Sequence, residues 1–166
     1  MSQQFTIRPA TINDLDVIAE HRARMFDDMG DVAPGTFELL RAKSRERLRE
    51  FLERGDYIGW LATPAQQPEI IVAGAGVQLR QVLPHPLSHA RKGNGIAEGR
   101  HAIIINVFTE PEWRRQGIAL LLLRRVIDWA REEKVESLVL HASEAARSLY
   151  EGLGFVATNE MRLGGD

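Results

Sequence analysis

Residues 103–119 read Ile-Ile-Ile-Asn-Val-Phe-Thr-Glu-Pro-Glu-Trp-Arg-Arg-Gln-Gly-Ile-Ala. The stretch passes from an apolar run, through a basic turn containing glycine, into an amphipathic pattern that begins at Ile118. Ala102 to Ile105 is apolar on both faces, which predicts a central strand over 101–109. The turn predicts an anion site. The first turn of a helix leaves N–H groups without intrahelical partners, and the helix dipole adds about half a positive charge there. Phosphate suits such a place. Arg114 and Arg115 add formal charge, and Gly117, lacking a Cβ, lets a diphosphate come close to the main chain. Taken alone, the same residues also fit a plain surface turn.

Downstream, a helix over 118–134 offers Ile118, Leu121, Leu122, Val126, Trp129 and Ala130 to a core. A buried strand is predicted over 137–140, then a short helix capped by Ser143 and ended by Gly152 or Gly154. A final strand over 155–163 closes the pattern. Upstream, a strand over 5–8 stops at Pro9, and Thr11 or Asn13 caps a helix. Its apolar stripe runs Leu15, Ile18, Ala19, Arg22, Met25, Phe26, Met29, with Arg22 its one polar member. A second helix carries Leu40, Ser44, Leu48, Phe51 and Leu52 to Gly55, and its many arginines interleave with glutamates as a solvated face. Strands over 57–62 and 70–79 form an antiparallel hairpin, followed by a long Pro- and Gly-rich loop over 80–100 expected to overhang a site. The order β-α-α-β-β-β-α-β-α-β makes this an α/β fold, an α+β mixed sheet with helices on both faces.

At 166 residues the chain suits a single domain, 1–166. Its net charge of −2 offers no basic field for nucleic acid, and no apolar run is long enough to span a membrane. No cysteine is present, which excludes disulfides, thiolate metal sites and a cysteine nucleophile. His85 and His89 have a helical metal-ligand spacing but sit in a Pro-rich loop without a third ligand, so no metal is expected. The turn lacks the Gly-Lys-Ser/Thr ending of a nucleotide P-loop, and Gly74-Ala75-Gly76 lacks the later glycine of a dinucleotide site. A soluble, cytoplasmic protein is the expectation.

Arg114-Arg115-Gln116-Gly117-Ile118-Ala119 resembles motif A of the GNAT superfamily of N-acetyltransferases: Gln or Arg, any, any, Gly, any, Gly or Ala. It follows an apolar strand and the turn Thr109-Glu110-Pro111-Glu112, and it opens an amphipathic helix. Leu149-Tyr150-Glu151-Gly152-Leu153-Gly154-Phe155 is similar to the ending of that family's motif B, in order and at family spacing. The resemblance implies the GNAT-like acyl-CoA N-acyltransferase fold, whose element order matches the one above, with the strands at 103–109 and 137–141 splayed around acetyl-CoA. It implies that the backbone of Val107, Phe108 and Thr109 pairs with the pantetheine arm. It implies further that the main-chain N–H groups of Arg115, Gln116, Gly117, Ile118, Ala119 and Leu120 hold the pyrophosphate. Tyr150 matches the tyrosine that faces the thioester sulfur. Ser143 stands where many relatives carry Asn, keeping a polar contact to the pantetheine with one group fewer.

The implied reaction is attack by a neutral primary amine on the thioester within a ternary complex. His101, His141 and His21 are candidate bases, and water is the alternative. The first two helices and the 80–100 loop usually shape the acceptor pocket, which points to His21, Met25 and Asp28 on one helical face. The expected acceptor is a small-molecule amine. A protein or peptide amine is the alternative, and a non-catalytic acyl-CoA sensor the alternative outside enzymes. The resemblance extends to a bacterial subgroup whose acceptors are mostly unassigned, and a homodimer is left open.

Overall fold

The computed structural model of the chain describes residues 4–86 and 95–164. After strand β1 (Phe5–Pro9), Thr11 makes a reciprocal cap. Its hydroxyl accepts from the Asn13 N–H, while the Asp14 carboxylate accepts from the Thr11 N–H at 2.8 Å. Arg8 grips the same carboxylate with two prongs, at 2.7 and 2.9 Å. That guanidinium holds the buried Asp14 carboxyl below the usual carboxylate range. The chain thus enters α1 (Leu15–Asp28) at a fixed angle and turns into α2 (Phe37–Arg54), which Gly55 ends in the left-handed region.

Five strands form the main sheet in the order β1, β2 (Tyr57–Pro64), β3 (Ala73–Gln81), β6 (Arg100–Thr109), β7 (Ser137–Leu140). The first four are antiparallel neighbours, and β7 lies parallel to β6. A parallel pair needs a long crossover, which α3 (Ile118–Glu132) supplies. On the α3 side, Ile118, Leu122, Leu123, Val126 and Trp129 pack with Trp60, Ala75, Val77, Ala102 and Ile104. On the opposite side, Leu15, Ile18, Ala19 and Leu48 pack with Tyr57 and Leu61. The short helix α4 (Arg147–Gly152) brings Tyr150 into the α3-side core.

The glycines of β2 and β3 have a packing role. Gly59 and Gly76 face each other across the ladder, and the Tyr57 ring lies over them. A Cβ on Gly76 would stand 2.2 Å from the Tyr57 hydroxyl. Gly59 and Gly76 therefore make room for an aromatic ring, while Gly74 lies against Leu61 and the Trp60 carbonyl.

Three expectations are corrected. Residues 155–164 form neither helix nor strand, and Val156, Met161 and Leu163 are exposed. β7 is four residues long and only half-buried, so the last segment finds no ladder to extend. The described part of the 80–100 loop carries a small hairpin, β4 (His85–Pro86) with β5 (Ile96–Ala97). The Glu136 carboxylate pins it by accepting from the N–H groups of Glu98, Gly99 and Arg100 at 2.7 to 2.9 Å. This places the hairpin at the start of β6, the opposite end of that strand from the glycine turn.

Candidate active site

The decisive local event lies in β6. Its parallel ladder with β7 ends at Ile104 and Leu140, so residues 105–109 have no β7 partner. Across the strand, Gly76 pairs with Ile105 and Gly74 with Phe108, leaving Asn106 and Val107 without β3 partners. This is a bulge, and Asn106 takes the left-handed conformation with φ of 59° that such a kink needs. Ile105 and Asn106 both turn toward α1, Val107 packs on the α3 side, and Phe108 returns to α1.

Beyond the kink the chain reaches the glycine turn. Trp113 packs edge-on against Phe5, with ring centroids 5.9 Å apart, which anchors the turn to β1. Gly117 adopts φ of 79°, and a Cβ there would meet nothing within 4 Å. Space, then, does not require glycine at 117; conformation does. No side chain caps α3 and no acid stands in its first turn, so its leading N–H groups face an exposed surface.

Tyr150 is buried at its ring, and burial pushes its hydroxyl above the usual phenol range. Among the described residues that hydroxyl has no hydrogen-bond partner, and it is not one of the sealed unpaired atoms. His141 follows the last paired residue of β7, exposed, with Nε2 2.8 Å from Glu160 Oε1. Ser143 begins the turn before α4, but its side chain makes no capping bond; only its carbonyl accepts, from the Ala146 N–H.

A polar cluster ties α1 to this end of β6. Phe108 is enclosed by the His21 ring at 4.8 Å and by the guanidinium groups of Arg24 and Arg114 at 5.1 and 5.7 Å. Arg24 pairs with Glu110 at 2.7 Å, and Arg114 pairs with Asp28 while donating to the Thr109 carbonyl. Arg22 donates to Asn106 Oδ1 at 2.7 Å, and Asn106 donates in turn to the Tyr57 hydroxyl at 3.4 Å. Burial pushes Tyr57 up to about 12.

The model of the acetyltransferase (GNAT) family matches residues 21–155, most of the chain. The chain belongs to the GNAT family of acetyltransferases. It is accordingly an acyltransferase. A GCN5-related N-acetyltransferase from Ralstonia eutropha JMP134 is 28% identical, covering 96% of this chain and 97% of its own, with a TM-score of 0.81. A predicted acetyltransferase from Clostridium acetobutylicum, solved with acetyl-CoA, is 26% identical over 97% and 96%, with a TM-score of 0.75. Glucosamine-6-phosphate N-acetyltransferase from Arabidopsis thaliana shares the fold at 14% identity over 99% of both chains, with a TM-score of 0.65. No match is found among curated proteins.

Within this GNAT framework several residues stand elsewhere than expected. His101 is the second residue of β6, opposite Ser137 and about 20 Å of strand from Val107. It is tied to the β4–β5 hairpin: His85 Nδ1–H donates to the Pro86 carbonyl, so His85 Nε2 accepts from His101 Nε2–H at 2.8 Å. His101 therefore stands at the far end of β6 from the bulge. His21 is 2% exposed, and burial pushes it below the usual imidazole range. Among the described residues both its ring nitrogens lack hydrogen-bond partners, and the 3.4 Å approach of Nε2 to Glu110 is too poorly aligned to be one. It is thus sealed beneath α1, out of reach of an acceptor. Asp28 is engaged by Arg114, whose guanidinium also lies over Phe108. Met25 is half-buried, Arg115 is exposed in the left-handed region, and Gln116 is exposed, accepting from Gln4. His89 lies outside the described residues. Asn106, Glu110 and Tyr57 were not anticipated as a cluster, although Asn106 is conspicuous as the polar residue within an apolar strand.

Proposed function

We propose that the chain is a single-domain, acetyl-CoA-dependent N-acetyltransferase that acetylates a primary amine of a small molecule by direct attack in a ternary complex. The observation that supports it most is continuous: β6 parts from β7 after Ile104 and Leu140, kinks at Asn106, and leads to the uncapped start of α3. The two ends suit the two ends of one ligand. An unpaired strand edge accepts an amide-bearing arm as an added strand, and free helix N–H groups beside Gly117 accept a diphosphate. The acetyl-CoA complex of the Clostridium acetobutylicum neighbour supports the same donor.

Acetyl-CoA supplies an activated thioester; the rest falls to the chain. Val107 and Thr109 offer backbone to the pantetheine arm, and residues 115–120 offer N–H groups to the pyrophosphate. The Val107 N–H, freed from β3 by the bulge, is the donor for charge that develops on the thioester oxygen. Tyr150, with its hydroxyl uncommitted, donates a hydrogen bond to the departing sulfur. The acceptor must attack as a neutral amine, and deprotonating an alkylammonium costs about 4 to 5 kcal/mol at pH 7. His141, at the mouth of the opening, is the base, acting directly or through water.

Calorimetry with acetyl-CoA tests the donor site. Gly117→Glu adds a carboxylate at the helix start and strains a left-handed residue, so affinity is expected to fall at least about a hundredfold. Unchanged affinity would remove the turn from the site.

A further inference from the structure

Arg22 stands apart from the other charged residues at the junction of α1 and β6. His21 and Arg24 approach Glu110, and Asp28 pairs with Arg114. Arg22 is half-buried, yet among the described residues it has no carboxylate within salt-bridge distance. Its surroundings are the Phe26 ring, 5.0 Å from the guanidinium carbon, and the Asn106 amide. A partly desolvated cation with neutral neighbours is an unfavourable arrangement that an anion would relieve.

The geometry also says which edge is available. Nη1 is committed to Asn106 Oδ1 at 2.7 Å, which fixes the guanidinium plane. Among the described residues Nε and Nη2 have no hydrogen-bond partner, and, unlike the His21 nitrogens, they are not buried unpaired atoms. These two donors form the side edge of the fork, whose spacing matches two oxygens of a carboxylate or phosphate. An oxygen seated there would lie roughly 8 Å from the Asn106 backbone, adding one hydrogen bond to the widths of guanidinium and amide. That is adjacent to Val107, where the preceding section puts the thioester.

We infer that the Nε–Nη2 edge of Arg22 binds an oxyanion of the acceptor, so the substrate is a small amine that also carries a carboxylate or phosphate. This rests on the acetyltransferase reading for the location of the reacting amine. Asp28, expected at the acceptor pocket, already has Arg114 as its partner. Phe26 beside the fork suits an acceptor with apolar substance near its anionic group.

The test is calorimetric titration of the CoA-loaded protein with leucine, leucinamide, phosphoethanolamine and ethanolamine, alongside CoA release from acetyl-CoA with each. At least one anionic amine is expected to bind at least about tenfold more tightly than its neutral counterpart, and the first and third compounds separate carboxylate from phosphate. In Arg22→Gln, which keeps a donor for Asn106 but loses charge and fork, that ratio should fall to near one. Arg22→Lys, with charge but no fork, should restore only part of it. Ratios near one in the wild type, or a ratio unmoved in Arg22→Gln, would overturn the inference. Selective binding of an anionic amine without any CoA release would leave it standing and count against the transferase reading instead.

Discussion

Tyr150 illustrates what a buried ring with an open hydroxyl can do. A core tyrosine ordinarily satisfies its O–H inside the fold, and among the described residues this one has no partner. Burial raises its pKa, which keeps the hydroxyl protonated at neutral pH and hence a donor. Tyr150→Phe should lower kcat about tenfold to a hundredfold, with KM for acetyl-CoA nearly unchanged, in steady-state kinetics. Equal kinetics would leave the residue with packing alone. Its position could be read from the Leu-Tyr-Glu-Gly-Leu-Gly-Phe pattern, because that motif is local. Arg22 was visible as one cation on an apolar stripe, but its partner was not. Asn106 lies 84 residues away, and a pairing over that distance leaves no local trace.

At the scale of elements, helices and central strands followed from periodicity. α2 ends at Gly55 and α3 starts at Ile118, as the cap and glycine signals require. The final strand failed because a strand exists only with a ladder partner, and strand propensity is mostly packing in disguise. The bulge was hidden for a related reason: it becomes visible only when β3 is laid beside β6. The glycines of β3 looked like a fragment of a nucleotide motif, and Gly76 turns out to accommodate Tyr57 while Gly74 lies against Leu61. Gly76→Ala pushes a Cβ into that ring, to within 2.2 Å of the hydroxyl. The expected cost is about 2 to 3 kcal/mol, read as a lower urea midpoint with an unchanged slope. The Tyr57 to Asn106 bond should be lost with it. A variant as stable as the parent would show that the ring has another place to go.

For the whole molecule, the buried histidine makes stability depend on pH in one direction. His21 is held neutral in the fold, chiefly by burial, against the weaker pull of Glu110. Its folded pKa lies below the unfolded value of about 6.5, so the unfolded chain binds a proton more readily. The stabilisation is therefore complete above about pH 6.5 and is lost as pH falls below it, by up to about 1.4 kcal/mol per pH unit. His101, lowered by partial burial and by His85, acts in the same sense. The comparison is thus between parent and His21→Leu: thermal midpoints measured from pH 5 to 8 should fall more steeply in the parent. Parallel curves would mean that His21 titrates as freely in the fold as outside it. The donor half of the proposed site could be proposed from sequence because it is written in backbone and glycine. The acceptor half was not, because it is assembled from α1 and β6 through side chains that meet only in the folded molecule.

The kink at Asn106 has one more consequence. Before it, even-numbered side chains of β6 face α3; after it, odd-numbered ones do, as Ile104 and Val107 show. The strand is two half-strands in opposite phase, spliced at one residue. An alternation rule applied straight through 100–109 would send Phe108 to the wrong side of the sheet, away from the two arginines and the histidine that surround it. The phase change is thus a form of addressing: a single extra residue directs the second half of β6 toward α1.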